Sequence, residues 1–486
     1  MPDSRSSGRP DRDAIARELL RLLPADAVLS SREECLVYEC DGLVVDRARP
    51  DVVVLPASTE EVAAVVRYAS GKGVPFVARG AGTGLSGGCL ALDGGIIISV
   101  ARMDRILEID PENRLAVVQP GVVNLDLSEA AREHGLIFAP DPSSQGCSTI
   151  GGNVAENAGG PHCLKYGQTS AHILALEVVL PEGRVVEIGS AIPGGPGYDL
   201  VGTFVGSEGT FGIATQITVN LMRRPEATET LLGIYRSVDE ASQVVTNIIG
   251  ARILPAALEM IDGPTMKAVE PHVRAGYPTS AGAALLIELE GPRPGMAAAT
   301  ARVRKICEEG GAMEVRVAKD DEERERLWAG RKKAFGAYGR LSPNFYVLDG
   351  VVPRTKLAEV IRRTDEVAKR HALRIAHVFH AGDGNLHPNI LYDRRRPGEE
   401  ERALAAADEI GRLCLEVGGS ITGEHGIGFE KRDLMPLLFS EESLQGMKRL
   451  RGVFDPRGLC NPGKVFPTSR ACGEITSRRI LDVGWI

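Results

Sequence analysis

The stretch Arg79-Gly80-Ala81-Gly82-Thr83-Gly84-Leu85-Ser86-Gly87-Gly88 decides the fold. It follows a predicted strand over 75–78 and contains G-x-G-x-x-G at Gly82, Gly84 and Gly87. A doubly wound dinucleotide site needs a helix to start at once, so that its N-terminus faces the pyrophosphate. Here Cys89 to Gly95 leads straight into a strand over 95–100, with no room for that helix. Consecutive glycine N–H groups still form a nest that holds an anion. The loop therefore reads as a pyrophosphate cradle on another fold, the alternative being a plain tight turn.

Three further glycine loops follow. They are Pro140-Asp141-Pro142 with Ser148-Thr149-Ile150-Gly151-Gly152-Asn153, then Asn157-Ala158-Gly159-Gly160, then Gly206-Ser207-Glu208-Gly209-Thr210-Phe211-Gly212, which runs into Ile213. Four such loops in one domain fit an extended ligand longer than a mononucleotide better than four independent turns. Around them, Ser58-Thr59-Glu60-Glu61 is a capping box that opens a helix to about residue 69, ended by Gly71 and Gly73. With strands over 52–55 and 75–78 it makes a β-α-β unit. Strands are expected over 95–100, 115–118 and 213–221, and two more meet at the Pro181-Glu182-Gly183 turn. Helices are expected over 13–23 and 124–134. From residue 230 the order strand, helix, strand, strand, helix, strand is ferredoxin-like, with the sheet continuing to 392 and a helix pair over 435–453. The fold class is α+β. The divisions are a lead-in over 1–50, a two-part ligand-binding domain over 51–225, an antiparallel-sheet cap over 226–425, and a helical segment over 426–486 that packs back on the ligand-binding domain and ends in a flexible tail.

Composition narrows the function. The 486 residues carry 57 lysines and arginines against 65 aspartates and glutamates, a net charge of −8. No basic block is long enough to track phosphates, so nucleic acid is disfavoured. No apolar run approaches the ~18 residues of a membrane-spanning helix, and the polar N-terminus has no signal-peptide core. Nine cysteines stand singly, at 35, 40, 89, 147, 163, 307, 414, 460 and 472, which suggests neither an iron–sulfur cluster nor a disulfide framework. The expected setting is a reducing cytoplasm.

R-G-A-G-T-G-L-S-G-G, P-D-P, T-I-G-G-N and G-S-E-G-T-x-G resemble the FAD-binding domain of the vanillyl-alcohol oxidase type flavoproteins. Together with H-A-G-D-G-N-L-H at 380–387, G-E-H-G-I-G at 423–428 and N-P-G-K at 461–464, the chain resembles FAD-linked subunits of bacterial glycolate oxidase, in the D-2-hydroxyacid dehydrogenase branch. The resemblance spans roughly residues 35 to 467. It implies FAD contacts from Arg79, Gly80, Ala81, Gly82, Thr83, Gly84, Leu85, Ser86, Pro140, Asp141, Ser148, Thr149, Gly151, Gly152, Asn153, Gly159, Gly160, Glu208, Gly212, Ile213 and Lys464. Some relatives tether FAD through a histidine of the first loop; Thr83 stands there, so the flavin is expected to be non-covalent.

His380 and His387 flank a G-D-G-N turn that can fold both imidazoles onto one point. With Glu424 they form two histidines and a carboxylate with room for another ligand, the composition of a catalytic metal set. The resemblance implies a divalent metal there: zinc, manganese or iron. His134, His172, His272, His371 and His377 are read as ordinary packed histidines. His425 is the expected general base, the alternative being a fourth ligand or a residue that orients Glu424. The resemblance also makes Arg331 the clamp for a substrate carboxylate, which suits a guanidinium fork. Lys332 and Lys333 read as a solvated helix face, and Tyr346 and Asn389 are placed in the same pocket. Dicarboxylate-using relatives often carry a lysine near Asp349; the apolar Tyr346-Val347-Leu348 here favours a small monocarboxylate.

The expectation is FAD-dependent, metal-assisted oxidation of a short 2-hydroxyacid, glycolate first and D-lactate second. Electrons would leave through an iron–sulfur subunit and a second FAD-domain subunit, which would also bring the cytoplasmic chain to the periphery of the inner membrane. The alternatives are a stand-alone D-lactate or D-2-hydroxyglutarate dehydrogenase using a quinone or carrier protein, and a non-catalytic flavin-binding subunit.

Overall fold

Ser58 shows how the sequence sets the first layer. Its hydroxyl accepts the Glu61 amide at 3.3 Å, and the Glu61 carboxylate reaches one residue further back than a capping box requires, to the Ala57 amide at 2.7 Å. The helix Thr59–Lys72 follows and closes on Gly73, whose φ of 67° suits a residue without a side chain. Its apolar face, Val62, Val65, Val66 and Ala69, covers a sheet with the strand order Val28–Leu29, Val52–Val54, Ile96–Ser99, Phe76–Arg79. Alternation assigns the faces: Val52, Val54, Ile96 and Ile98 pack under this helix, while Val53, Val77 and Ile97 pack with Cys35 and Ala91 on the other side. Each such fully buried side chain contributes about 1.5–3 kcal/mol.

The computed structural model describes residues 9–192 and 194–467. The first residues and the expected flexible tail with Cys472 lie outside them. The chain divides into two units: Met1–Ala158 with Gln168–Arg223 and His425–Ile486, and Gly159–Gly167 with Arg224–Glu424. Besides the first sheet, the first unit holds a five-stranded antiparallel sheet in the order Ile106–Asp110, Leu115–Val118, Ile213–Asn220, Ile173–Val179, Val185–Gly189. The helices Asn124–Arg132 and Ile150–Glu156 pack on it through Leu127, Ala131, Ile150 and Val154. The C-terminal segment joins the first sheet at its open edge. The Phe76 amide donates to the Leu459 carbonyl (3.0 Å), and the Asn461 amide to the Phe76 carbonyl (2.8 Å).

In the second unit the strands Glu314–Val317, Ala227–Tyr235, Ala283–Gly291 and Ala257–Asp262 lie side by side. That is the fourth, first, third and second of the β-α-β-β-α-β series, the ferredoxin-like order. The sheet continues through Arg374–His380. Both faces are covered: Leu231, Leu285 and Ile287 on one, Leu232, Ile234 and Leu286 on the other. Among the helices beyond the sequence reading are Gly263–Val273, Asp321–Lys332, Leu357–Arg370 and Glu399–Glu416. The first contains Pro264 and Pro271. Pro264 sits in the first turn, where its missing N–H costs nothing, and the Asp262 carboxylate caps that turn through the Thr265 amide at 2.8 Å.

Candidate active site

In the first unit the loop over 79–88 runs to the strand Ile96–Ser99 without an intervening helix. A side chain at Gly80 would stand 2.2 Å from the Thr149 hydroxyl, so the first and second glycine loops meet there backbone to hydroxyl. Thr149 caps the short helix Ile150–Glu156 through the Gly152 amide at 3.2 Å. Ser86, Ser148 and Asn153 are buried, and the Ser86 and Ser148 hydroxyls and the Asn153 amide nitrogen have no partner among the described residues; the Ser207 hydroxyl is left the same way. Leaving buried polar groups unpaired costs about 1–3 kcal/mol each. A ligand rich in acceptors, such as a dinucleotide, satisfies such a set, so these loops fit FAD.

The other flavin candidates have distinct surroundings. The Arg79 guanidinium faces the Tyr38 carbonyl, the Cys89 thiol and the Tyr38 ring. Ala81 is exposed and Gly82, Thr83, Gly84 and Leu85 are half-buried. The buried Pro140 accepts from the Asn124 side chain through its carbonyl at 3.0 Å, and Asp141 beside it is half-buried. Glu208 gives its carboxylate to the amides of Ile427 (2.7 Å) and Gly428 (2.6 Å), which holds the segment after His425. Gly212 and Ile213 lead into the strand Ile213–Asn220. Lys464 is buried and donates to the Leu90 carbonyl (2.7 Å) and to Asn461 (2.9 Å), while Asn461 donates to the carbonyls of Gly88 and Glu208. Lys464 and Glu208 thus clasp the loops from behind. Gly159 and Gly160 belong to the second unit: Gly159 lies against Glu424, and the Gly160 amide donates to Cys163 Sγ at 3.1 Å. Asp41 is a buried carboxylate that the sequence reading did not pick out. It accepts the Leu43 amide with one oxygen, and burial pushes its pKa up to about 6.

The second unit brings His380, His387 and Glu424 together. His380 Nε2 lies 3.3 Å and His387 Nε2 3.1 Å from the same Glu424 oxygen. Ligands held tetrahedrally at 2.0–2.1 Å are about 3.3 Å apart, so the three atoms already have the spacing of a metal's coordination edge. His387 Nδ1 donates to the Leu348 carbonyl at 3.1 Å, and His380 Nδ1 meets Glu259 Oε1 at 2.8 Å. Both rings therefore turn Nε2 toward Glu424, the usual arrangement of a ligand supported from behind. Burial alone would raise the Glu424 pKa, but His380 and His387 hold it well below the ordinary range. Burial alone would likewise lower His380, but Glu259 and Glu424 hold it well above. A divalent cation fits these three atoms, where it would take the place of the proton that His380 otherwise turns toward Glu424. Asp349, 1% exposed, fixes the turn bearing Glu424 by accepting from the Thr422 hydroxyl (2.5 Å) and the Gly423 amide (3.0 Å).

Arg331 is 1% exposed, on the helix Asp321–Lys332, while Lys332 and Lys333 face outward. Its Nε donates to Glu259 Oε2 at 2.6 Å, and Nη2 is buried without a partner among the described residues. The helix is anchored one turn earlier, where Trp328 donates to Glu288 at 2.5 Å; Glu288 also meets Thr230 and His162 at 2.9 Å. Position 330 must be small, because a Cβ there would fall 2.3 Å from the Tyr277 ring. Asn389 is buried, donating to the His387 carbonyl at 2.7 Å, with its own oxygen unpartnered among the described residues; Tyr346 is buried on the strand Asn344–Val347. Glu259 was missed. Its signal was a lone acid inside the apolar run Ala257-Leu258-Glu259-Met260-Ile261, since a charge in a strand covered on both faces must have a partner.

A chain that carries a dinucleotide-competent loop set in one unit and a buried carboxylate-and-imidazole cluster in the other has the parts of a FAD-linked oxidoreductase. The FAD binding domain family matches residues 50–189, and the family of FAD linked oxidases, C-terminal domain, matches 224–465. The chain is 46% identical over 470 residues to glycolate oxidase subunit GlcD of Escherichia coli strain K12, covering 97% of this chain and 94% of that one. It is 42% identical to GlcD of Bacillus subtilis strain 168 over 93% and 96%, and 35% identical to D-lactate dehydrogenase of Archaeoglobus fulgidus over 88% and 94%. The solved structures of p-cresol methylhydroxylase and of 4-ethylphenol oxidase from Gulosibacter chungangensis share the fold. Their TM-scores are 0.79 and 0.77 at 18% and 20% identity, covering 93% and 96% of this chain and 96% and 98% of theirs. The chain belongs to the FAD-linked oxidases of the vanillyl-alcohol oxidase type, in the branch of the glycolate oxidase FAD subunits.

Proposed function

We propose that this FAD-dependent hydroxyacid oxidoreductase converts a short 2-hydroxyacid, glycolate first and D-lactate second, to the 2-oxoacid. The observation that carries the reading is the grouping of two imidazole Nε2 atoms and one carboxylate oxygen, tied through Glu259 to a buried arginine whose Nη2 has no partner among the described residues. His380, His387 and Glu424 would hold a divalent metal, zinc, manganese or iron. When bound, FAD supplies a hydride acceptor and the metal a Lewis acid that makes a coordinated hydroxyl more acidic. Arg331 binds the substrate carboxylate through the edge left free by Glu259. His425, which follows Glu424 in the chain, takes the hydroxyl proton on its imidazole. Tyr346 and Asn389 close the pocket, and the buried apolar Val347 and Leu348 favour a monocarboxylate.

Ser86, Ser148, Asn153 and the glycine amides hold FAD without a covalent bond. The E. coli and B. subtilis relatives are named as subunits. By likeness to them, electrons pass to a partner assembly with an iron–sulfur subunit and a second FAD-domain subunit. No helix among the described residues is long and apolar enough to cross a membrane. A cytoplasmic location, touching the inner membrane only through those partners, is part of the proposal. The test is a steady-state screen of 2-hydroxyacids with an artificial acceptor dye, with elemental analysis of the same preparation. Turnover of glycolate or D-lactate by protein with stoichiometric metal is expected. Full activity without metal would overturn the metal assignment, and activity confined to dicarboxylates would overturn the substrate.

A further inference from the structure

We infer that Glu259 is a positioning residue: a single buried carboxylate that sets the spacing between the substrate-carboxylate clamp and the metal set by gripping Arg331 with one oxygen and His380 with the other. The inference rests on the roles proposed above for Arg331 and His380. Its geometry is independent of them. Glu259 and His380 are directly paired residues of adjacent antiparallel strands, Ala257–Asp262 and Arg374–His380, so sheet register places the carboxylate opposite the imidazole. Arg331 arrives from a helix and meets the second oxygen at 2.6 Å. Glu259 is 0% exposed.

A comparison within the cluster shows why an acid stands there. His387 is held from behind by a neutral carbonyl, that of Leu348, and needs no more. The same task at His380 is given to an anion, although burying one is costly. The second oxygen supplies the reason: Arg331 is itself buried, and only an anion both neutralises the guanidinium and orients its fork. One residue thereby fixes the His380 ring so that Nε2 points to Glu424 and leaves Arg331 Nη2 for a ligand. A glutamine has one acceptor and one donor at its tip and cannot serve two donors. An aspartate keeps the charge but is shorter by a methylene, so it can reach one partner and not both.

The test uses the full-length flavin-loaded protein, stripped of metal with a chelator and titrated with Zn²⁺ by calorimetry, beside dye-linked kinetics with glycolate. For Glu259→Gln the expected result is a 10- to 100-fold weaker Zn²⁺ affinity, the usual effect of removing a partner behind a ligand, together with a raised KM. Glu259→Asp should restore one of the two readouts and not both. Retention of both within twofold by Glu259→Gln, or rescue of both by Glu259→Asp, overturns the bridging role. Active wild-type protein that takes up no Zn²⁺ removes the metal reading instead, and KM then decides the bridge. If the variants do not fold, ¹⁵N-histidine NMR of the wild type still tests it: His380 should carry its proton on Nδ1, and a bare Nδ1 overturns the inference.

Discussion

Replacing Arg331 by lysine separates a clamp from a mere buried cation. The guanidinium spends its Nε on Glu259 at 2.6 Å and keeps Nη2 unpartnered, so a single side chain serves two anions. A lysine ammonium at the end of a shorter, non-planar stem has to choose. Abandoning Glu259 would leave one oxygen of a fully buried carboxylate unpaired at a cost of at least about 1–3 kcal/mol, so the ammonium stays with Glu259 and the substrate loses its contact. Hydrogen bonds to charged groups contribute about 1.5–3 kcal/mol, so kcat/KM for glycolate should fall about 10- to 150-fold. The loss should divide between higher KM and lower kcat, because the fork also orients the reacting carbon. The assay is dye-linked turnover at matched flavin content, with glycolamide as a comparison substrate lacking the carboxylate charge. Unchanged kcat/KM in a folded, flavin-loaded variant, or an equal loss with glycolamide, refutes the clamp.

Acid precipitation should leave the yellow cofactor in the supernatant, since Thr83 offers no tethering imidazole; flavin remaining in the pellet would contradict this. Chelation should abolish glycolate oxidation while FAD stays bound, and His387→Ala should reproduce that state, as metal analysis and visible absorbance can show. His425→Ala should keep flavin and metal and lose about 10²- to 10⁴-fold in kcat, the usual worth of a general base; a loss below tenfold would exclude that role. Asp41→Asn should stabilise the protein at pH 8 but not below pH 4. The folded-state pKa of Asp41 is raised from 3.8 to about 6, so its contribution to stability is intact at low pH and is lost as pH rises through 6, a change of at most about 3 kcal/mol. Equal thermal unfolding midpoints of parent and variant at pH 8 would count against it.

What could be read from the chain was what local chemistry controls. Ser58 and Gly73 mark the two ends of a helix by capping, and the alternation in Val52-Val53-Val54 and Ile96-Ile97-Ile98 marks a sheet covered on both faces. The pair His380 and His387 is legible because the turn between them is short. Glu259 was not, because its role depends on a cross-strand register with a residue 121 positions away and on a helix arriving from elsewhere. The helix Gly263–Val273 was not read, and its two prolines weaken any local helix signal: Pro264 is tolerated only because it falls in the first turn, behind the Asp262 cap. The loop over 157–160 drew its reading from bare glycine backbone, which serves any close neighbour; among the described residues Gly159 lies nearest Glu424 and Cys163.

The clasp of Lys464 on Leu90 joins residues 374 positions apart. On a ribosome adding about 5–20 residues per second, the first glycine loop emerges roughly 20–75 s before the lysine that will secure it. During that interval the strand Phe76–Arg79 lacks the neighbour it later finds in Leu459 and Asn461, and its bare amides and carbonyls form a pairing edge open to other chains. The nascent protein thus carries its cofactor cradle half-built for most of its synthesis. Loss of the residues around 460 by premature termination would leave that edge uncovered, so the first sheet depends on residues translated long after it.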